Sequence, residues 1–289
     1  MALVLIRYGE IGLKSRYVRK RFEELLVADI RKALRHHGIG HRIRREWGRI
    51  FVDVDDFDAA VEPLKNVFGI TSFSRVVETE ADLESIAKTA AEVGLGMGLD
   101  SGQGKTFAIR ARRTGNHDFT SQDVATAAGK AVQDATRAAV ELNNPDREIF
   151  VEVRDDRAFI FSEKIKGAGG MPYGSQGRVA GVVEDRDGLT ASLLMMRRGC
   201  IVEFVCREGS MAEAAAEACM WRDAKIHVVD DDMYKFAEGL NVKAIVTAGE
   251  KFEKRRMPVF YPLLGFREVA GAEKLDDGEG VGEVRGVDR

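Results

Sequence analysis

Apolar residues along this chain follow two periods, and the elements change where the period changes. Residues 2–8 alternate, which predicts a strand. From Ser15 to about His37 the period lengthens. Val18, Phe22, Leu25, Leu26, Ile30, Ala33 and Leu34 share one helical stripe, with Ser15 placed to cap it and Gly38 to stop it. Residues 42–47 and 49–54 read as strands meeting at Gly48, 57–68 as a short helix, and 70–77 as a closing strand. The order βαββαβ is the ferredoxin-like pattern, and this unit is expected to span residues 1–78.

A second unit, residues 79–166, shows a helix at 83–93, a strand at 106–112 and a long helix at 121–142. Strands at 149–154 and 158–163 are joined by a turn at Asp155-Asp156. Residues 167–177 are glycine-rich, contain Pro172, and read as a linker. Residues 178–269 then alternate strictly, with strands at 179–183, 201–205, 226–229 and 242–247 and helices at 189–197, 211–221 and 233–239 between them. That order predicts a parallel, doubly wound sheet. Residues 270–289 are glycine-rich and acidic and are expected to be a disordered tail. The fold class is thus α+β followed by α/β.

Composition narrows the function. At 289 residues there is room for two or three cores, and 45% hydrophobic with 31% charged residues is ordinary for a globular protein. No apolar run reaches membrane-spanning length and the start lacks a basic leader, so a cytoplasmic location is expected. Cys200, Cys206 and Cys219 form no CxxC pair; small apolar fillers describe them better than persulfide carriers. The five histidines do not join them at zinc spacing, so no metal is assigned. The net charge of -3 hides an asymmetry: residues 1–50 carry 13 Lys/Arg against 5 Asp/Glu. A basic start suits a polyanion, although a solvated helix face would look the same.

Three segments carry candidate chemistry. Ser101 to Thr106, SGQGKT, imitates a phosphate loop, but it lacks the first glycine and precedes a strand rather than a helix. In RYGEIGLKSR, Lys14 and Arg16 flank a helix start, where free N–H groups favour an anion; a tight strand-to-helix turn with solvent-facing cations fits equally well. In FAIRARRTGNHDFTS, alternation puts Arg110 and Arg112 on one strand face, with Phe107 and Ile109 on the other. Arg113, Asn116 and His117 follow in the turn, and together these residues could grip a nucleic-acid end. A merely polar strand face is the alternative.

Taken in order, RYGEIGLKSR, FAIRARRTGNHDFTS, NNPDREIFVEV, EKIKGAGGMPYGSQGRV and LLMMRRG resemble the tRNA 4-thiouridine synthase family of ThiI type. The likeness runs to about residue 205 and resumes at VKAIVT and MPVFYPLLG. The resemblance implies a ferredoxin-like domain, a THUMP domain that engages the acceptor end of tRNA, and a Rossmann-like PP-loop domain. In the family that third domain uses ATP to activate a uridine for sulfur transfer, which would place an active member in the 4-thiouridine/thiamine pathway.

The resemblance breaks at one loop. Where the family carries SGGxDS, this chain has Val183-Glu184-Asp185-Arg186-Asp187-Gly188, which keeps only Asp187. Glycines let backbone N–H groups close on a pyrophosphate, whereas Glu184 and Asp185 bring bulk and charge. One such charge at 4 Å opposes a phosphate by about 4 kcal/mol at an effective dielectric of 20. The Gln- and Ser-containing segment expected after Thr247-Ala248-Gly249-Glu250 is missing, and no cysteine pair supplies a sulfur relay. The expectation is therefore a tRNA-binding protein that does not adenylate, uses no cofactor, and presents tRNA to a separate sulfur-transfer enzyme or acts within a homodimer. The alternatives are an active ATP-dependent tRNA sulfurtransferase with a divergent loop, and a module that holds a cationic small molecule on Glu184, Asp185 and Asp187.

Overall fold

The computed structural model describes residues 1–46, 48–100, 104–207, 209–249 and 255–264. The expected tail at 270–289, Trp47, Glu250 and residues 101–103 of the imitation phosphate loop lie outside the described residues.

The first unit runs β1 (Ala2–Tyr8), α1 (Arg16–His36), β2 (His41–Glu46), β3 (Arg49–Val54), α2 (Phe57–Lys65) and β4 (Ile70–Glu80), with strands ordered β2-β3-β1-β4, all antiparallel. Alternation in β1 sends Val4 and Ile6 against Leu26, Ile30 and Leu34 of α1. Ser15 sits at the N-cap of α1, but its side chain makes no capping hydrogen bond, a departure from the expected cap. Asp56 does cap α2, accepting from the N–H of Ala59.

The second unit adds α3 (Leu83–Gly96), β5 (Thr106–Thr114), α4 (Ser121–Thr136), β6 (Ala139–Val140), β7 (Arg147–Arg154), β8 (Arg157–Phe161) and β9 (Ile165–Lys166). Its strands are not a separate sheet. β4 is eleven residues long; its first part pairs with β1 and its last four residues pair with β8. One nine-stranded sheet results, in the order β2-β3-β1-β4-β8-β7-β5-β6, with β9 on β4. α4 stops at Thr136 instead of reaching residue 142. Arg137 adopts a left-handed conformation (φ 62°), and the chain returns to pair Ala139 with Thr106.

The third unit comprises β10 (Arg178–Val183), α5 (Arg186–Arg197), β11 (Ile201–Cys206), α6 (Ser210–Cys219), β12 (Ile226–Val228), α7 (Met233–Glu238), β13 (Ile245–Val246) and β14 (Val259–Phe260). Its parallel strands are ordered β12-β11-β10-β13-β14. β14 was not expected from the alternation.

The glycine-rich stretch between the sheets is packed. Gly69 N–H donates to Gly169 O at 2.7 Å, Gly169 N–H to Ile70 O at 2.8 Å, and Met171 N–H to Arg197 O at 2.9 Å. A Cβ on Gly170 would lie 2.1 Å from Arg197 O, and φ there is +75°. These glycines permit close backbone approach rather than slack. Trp221 joins the core of the first unit: its Nε1–H donates to Asp29 at 2.6 Å, and buried Arg222 pairs with Asp29 at 3.2 Å and donates to Asn66 O at 2.7 Å.

Candidate nucleic-acid interface

The helices of the first two units cover one face of the nine-stranded sheet. On the other face Leu3, Leu5, Phe51, Val76, Phe150, Phe159 and Phe161, all from strands, form an apolar floor. The same parity that turns Leu3 and Leu5 to this face also turns Arg7 to it, and Phe51 brings Arg49. Across the seam, β5 contributes Arg110 and Arg112, opposite Phe150 and Glu152 of β7.

Arg7, Arg49, Arg110, Arg112, Phe150 and Glu152 line a cleft of about 630 Å³ spanning both units, together with Ser72, Glu148, Phe161, Lys164 and the first turn of α4 (Ser121, Gln122). It wraps the outer edge of β5. β6 pairs with β5 only at Thr106 and Phe107, so from Ile109 onward no described strand covers that edge. A second groove of about 320 Å³ continues along α4, sharing Ile109, Gln122 and Ala125 with the first.

Five cations face the cleft against two carboxylates. Glu152, 8% exposed, receives Arg49 at 2.7 Å, Arg154 at 3.1 Å and Arg7 at 3.5 Å. Glu148 holds Arg110 at 2.6 Å, and Arg110 also donates to Leu142 O at 2.8 Å. Phe150 and Phe161 stack with centroids 5.1 Å apart; Lys164 Nζ sits 3.7 Å from the first ring and the Arg7 guanidinium 4.5 Å from the second. Burial pulls Arg7 down to about 10, opposed by Glu152 and helped by Arg49 and Arg112, which leaves it a cation at neutral pH. Partial burial, then Arg7 and Arg112, also lower the Lys164 ammonium. Stacked rings bordered by cations are what unstacked bases and their phosphates require.

The sequence-predicted residues divide. Arg110 and Arg112 enter the cleft; Lys14, Arg16, Arg113, Asn116 and His117 do not line it. Lys14 and Arg16 are exposed at the start of α1. Arg113 points the opposite way from Arg112: it donates to Gly115 O at 3.2 Å and meets His117 Nδ1 at 3.3 Å, while His117 Nε2 bonds Asp155 O. This pair closes the turn after β5. Arg7, Arg49, Lys164, Phe150 and Phe161 were not singled out. The signal for Arg7 is a cation ending the Leu3, Leu5 stripe; Arg49 and Lys164 reach the cleft only through strand pairing that no local pattern specifies.

In the third unit the loops leaving β10 and β13 meet where the strand order reverses, the crevice in which such sheets bind ligands. Glu184, Asp185 and Asp187 are exposed there. The Asp185 carboxylate caps α5, accepting from Gly188 N–H at 2.8 Å. The Tyr234 hydroxyl bridges the two loops, 2.8 Å from Thr247 Oγ1 and 3.4 Å from Glu184 Oε2, and Arg255 lies 4.0 Å over the Tyr234 ring. All three cysteines are buried, and burial raises each thiol pKa, that of Cys219 to about 11. No helix among the described residues is long and apolar enough to cross a membrane.

Comparison with known proteins agrees with this architecture. The family model of the ThiI ferredoxin-like domain matches residues 3–74, and that of the THUMP domain residues 80–163. The probable tRNA sulfurtransferase of Methanobrevibacter smithii is 36% identical over 304 residues, covering 98% of this chain and 76% of that protein. The one from Methanosarcina acetivorans is 42% identical over 222 residues, covering 74% of this chain and 53% of its own length, so the chain spans about half of it. The crystal structure of PH1313 from Pyrococcus horikoshii superposes with a TM-score of 0.81 at 30% identity, covering 93% of this chain and 97% of that one. A 4-thiouridine synthetase–RNA complex with bound ATP shares the fold, with a TM-score of 0.73 at 23% identity and coverage of 93% and 83%. With two family models matched in order along the nine-stranded sheet and a relative similar over nearly its whole length, the chain belongs to the ThiI-type tRNA sulfurtransferase family.

Proposed function

We propose that this chain binds tRNA in the cleft across the seam of its first two units and presents it for thiolation by a separate sulfur-transfer enzyme, without adenylating it. The observation that carries the tRNA reading is the cleft itself, where five cations and two stacked rings converge from both matched domains. The 4-thiouridine synthetase of similar fold was solved with RNA, which points the same way. Phosphate contacts of this kind make affinity fall steeply with salt.

The absence of adenylation rests on the crevice. A pyrophosphate at the start of α5 needs free N–H groups and small residues. The Gly188 N–H is taken by the chain's own Asp185 carboxylate, and Glu184 is held with Tyr234 and Thr247. These residues do not fit a triphosphate. The cysteines add no sulfur carrier, because a buried thiol with raised pKa is a poor nucleophile.

The test is tRNA binding by filter retention across a salt series, with pyrophosphate release from ATP measured alongside. Salt-sensitive preference for tRNA over an unrelated duplex, with no pyrophosphate released above background, is expected. Equal affinity for both nucleic acids contradicts the tRNA reading; tRNA-dependent pyrophosphate release makes the chain an active ATP-dependent sulfurtransferase instead.

A further inference from the structure

We infer that Arg7, Arg112 and Lys164 together form a single phosphate subsite in the cleft, one that takes one phosphate of a bound RNA. The inference rests on the tRNA reading above and deepens it.

The cleft cations are not equivalent. Arg49 and Arg110 are neutralised by Glu152 and Glu148 at 2.7 and 2.6 Å. Arg112 and Lys164 have no hydrogen bond or ion pair to any described carboxylate. Arg7 reaches Glu152 only at 3.5 Å through Nε, donates from Nη1 to Ser74 Oγ at 3.0 Å, and leaves Nη2 buried without a partner. A buried donor without an acceptor costs about 1–3 kcal/mol, and its persistence calls for an explanation. The three groups are also close enough to repel: Arg112 lowers the pKa of Arg7, and both lower that of Lys164. Crowded like charges beside an unused donor fit an anion, which would convert the repulsion into attraction and supply the missing acceptor.

The surroundings name the anion's class. Arg7 lies over the buried Phe161 ring and Lys164 over the half-buried Phe150 ring stacked on it, so a phosphate held between the two cations would bring its nucleoside to the accessible rim of Phe150. An RNA could supply this phosphate as a backbone diester or as a terminal monoester; the three donors suit either.

The experiment measures tRNA affinity against salt concentration for the full chain and for Lys164→Ala, Arg112→Ala and the double variant. Both side chains are exposed, so the fold should survive the changes. A lost phosphate contact lowers the log–log slope by about 0.7–0.9. Each single variant should lower the slope by up to that amount, and the double variant by no more than that in total, because the two cations share one phosphate. Arg7→Lys keeps the charge and removes Nη2; it should weaken binding several-fold with little change of slope, after thermal melting has confirmed folding. Repeating the series with 5′-dephosphorylated tRNA separates the sources: a persisting Lys164 effect assigns the subsite to a backbone diester, a vanished one to the terminal monoester. A double variant whose slope falls by clearly more than one contact, beyond about 0.9 in total, or single variants with wild-type slope and affinity, overturns the subsite while leaving the tRNA reading intact. If wild-type protein fails to prefer tRNA, the reading beneath it fails.

Discussion

Arg112 and Arg113 are neighbours in sequence and stand on opposite faces of β5. Alternation made Arg110 and Arg112 readable as one face, and the structure turns both to the cleft. The same rule turns Arg113 away from the cleft, and it contacts Gly115 O and His117 instead. Arg112→Ala should therefore weaken tRNA binding about tenfold, the scale of one charge-assisted contact, while Arg113→Ala leaves it within twofold; a gel-shift titration separates the two. Arg49 and Lys164 were beyond reach, because their convergence depends on which strands pair. Asp29 shows what burial does to a single carboxyl. Burial raises its pKa, against the pull of Arg222, Trp221 and Lys32. The folded state then holds the Asp29 proton more firmly than the unfolded chain. The stabilisation from that proton is complete below the ordinary carboxyl pKa and is lost as pH rises toward the raised value. Asp29→Asn should flatten this part of the stability–pH curve, measured by urea unfolding at each pH.

Elements were readable where one period persisted and misread where tertiary contacts cut it. The stripe of α1 and the order of alternating strands and helices from β10 to α7 follow the pattern, whereas the strand expected at 242–247 shortens to Ile245–Val246 and β14 joins it from outside the pattern. α4 was overextended because Ala138, Ala139, Val140 and Leu142 continue an apolar pattern; pairing with the edge of β5 takes the chain out of the helix at Arg137. Residues 167–177 read as a linker because glycine is ambiguous in sequence, permitting either slack or contact. Here it permits contact, so Gly170→Ala must meet both the clash with Arg197 O and a positive φ. It should destabilise the protein by more than about 1 kcal/mol in denaturant titration. A freely flexing linker would tolerate the change.

At the scale of the whole molecule, local pattern says little about how the units join. β4 belongs to both of the first two units, and Trp221 of the third is packed in the core of the first. The Asp29–Arg222 pair, almost fully buried, closes that contact, with Lys32 and Asp223 at 2.5 Å on its exposed rim. Breaking a buried pair by removing one partner typically costs about 3–5 kcal/mol. Arg222→Ala should convert a single calorimetric transition into two, the third unit melting first; unchanged single-step melting would mean the junction does not couple the units. This docking fixes the crevice beside Asp185, where that carboxylate caps α5, relative to the arginine cleft. The measurement that tests the account most directly is a side-by-side titration of the purified chain with tRNA and with ATP. The account predicts salt-sensitive tRNA binding that is lost in Arg110→Ala/Arg112→Ala and no heat of ATP binding at millimolar nucleotide; saturable ATP binding, or tRNA affinity indifferent to the two arginines, would contradict it.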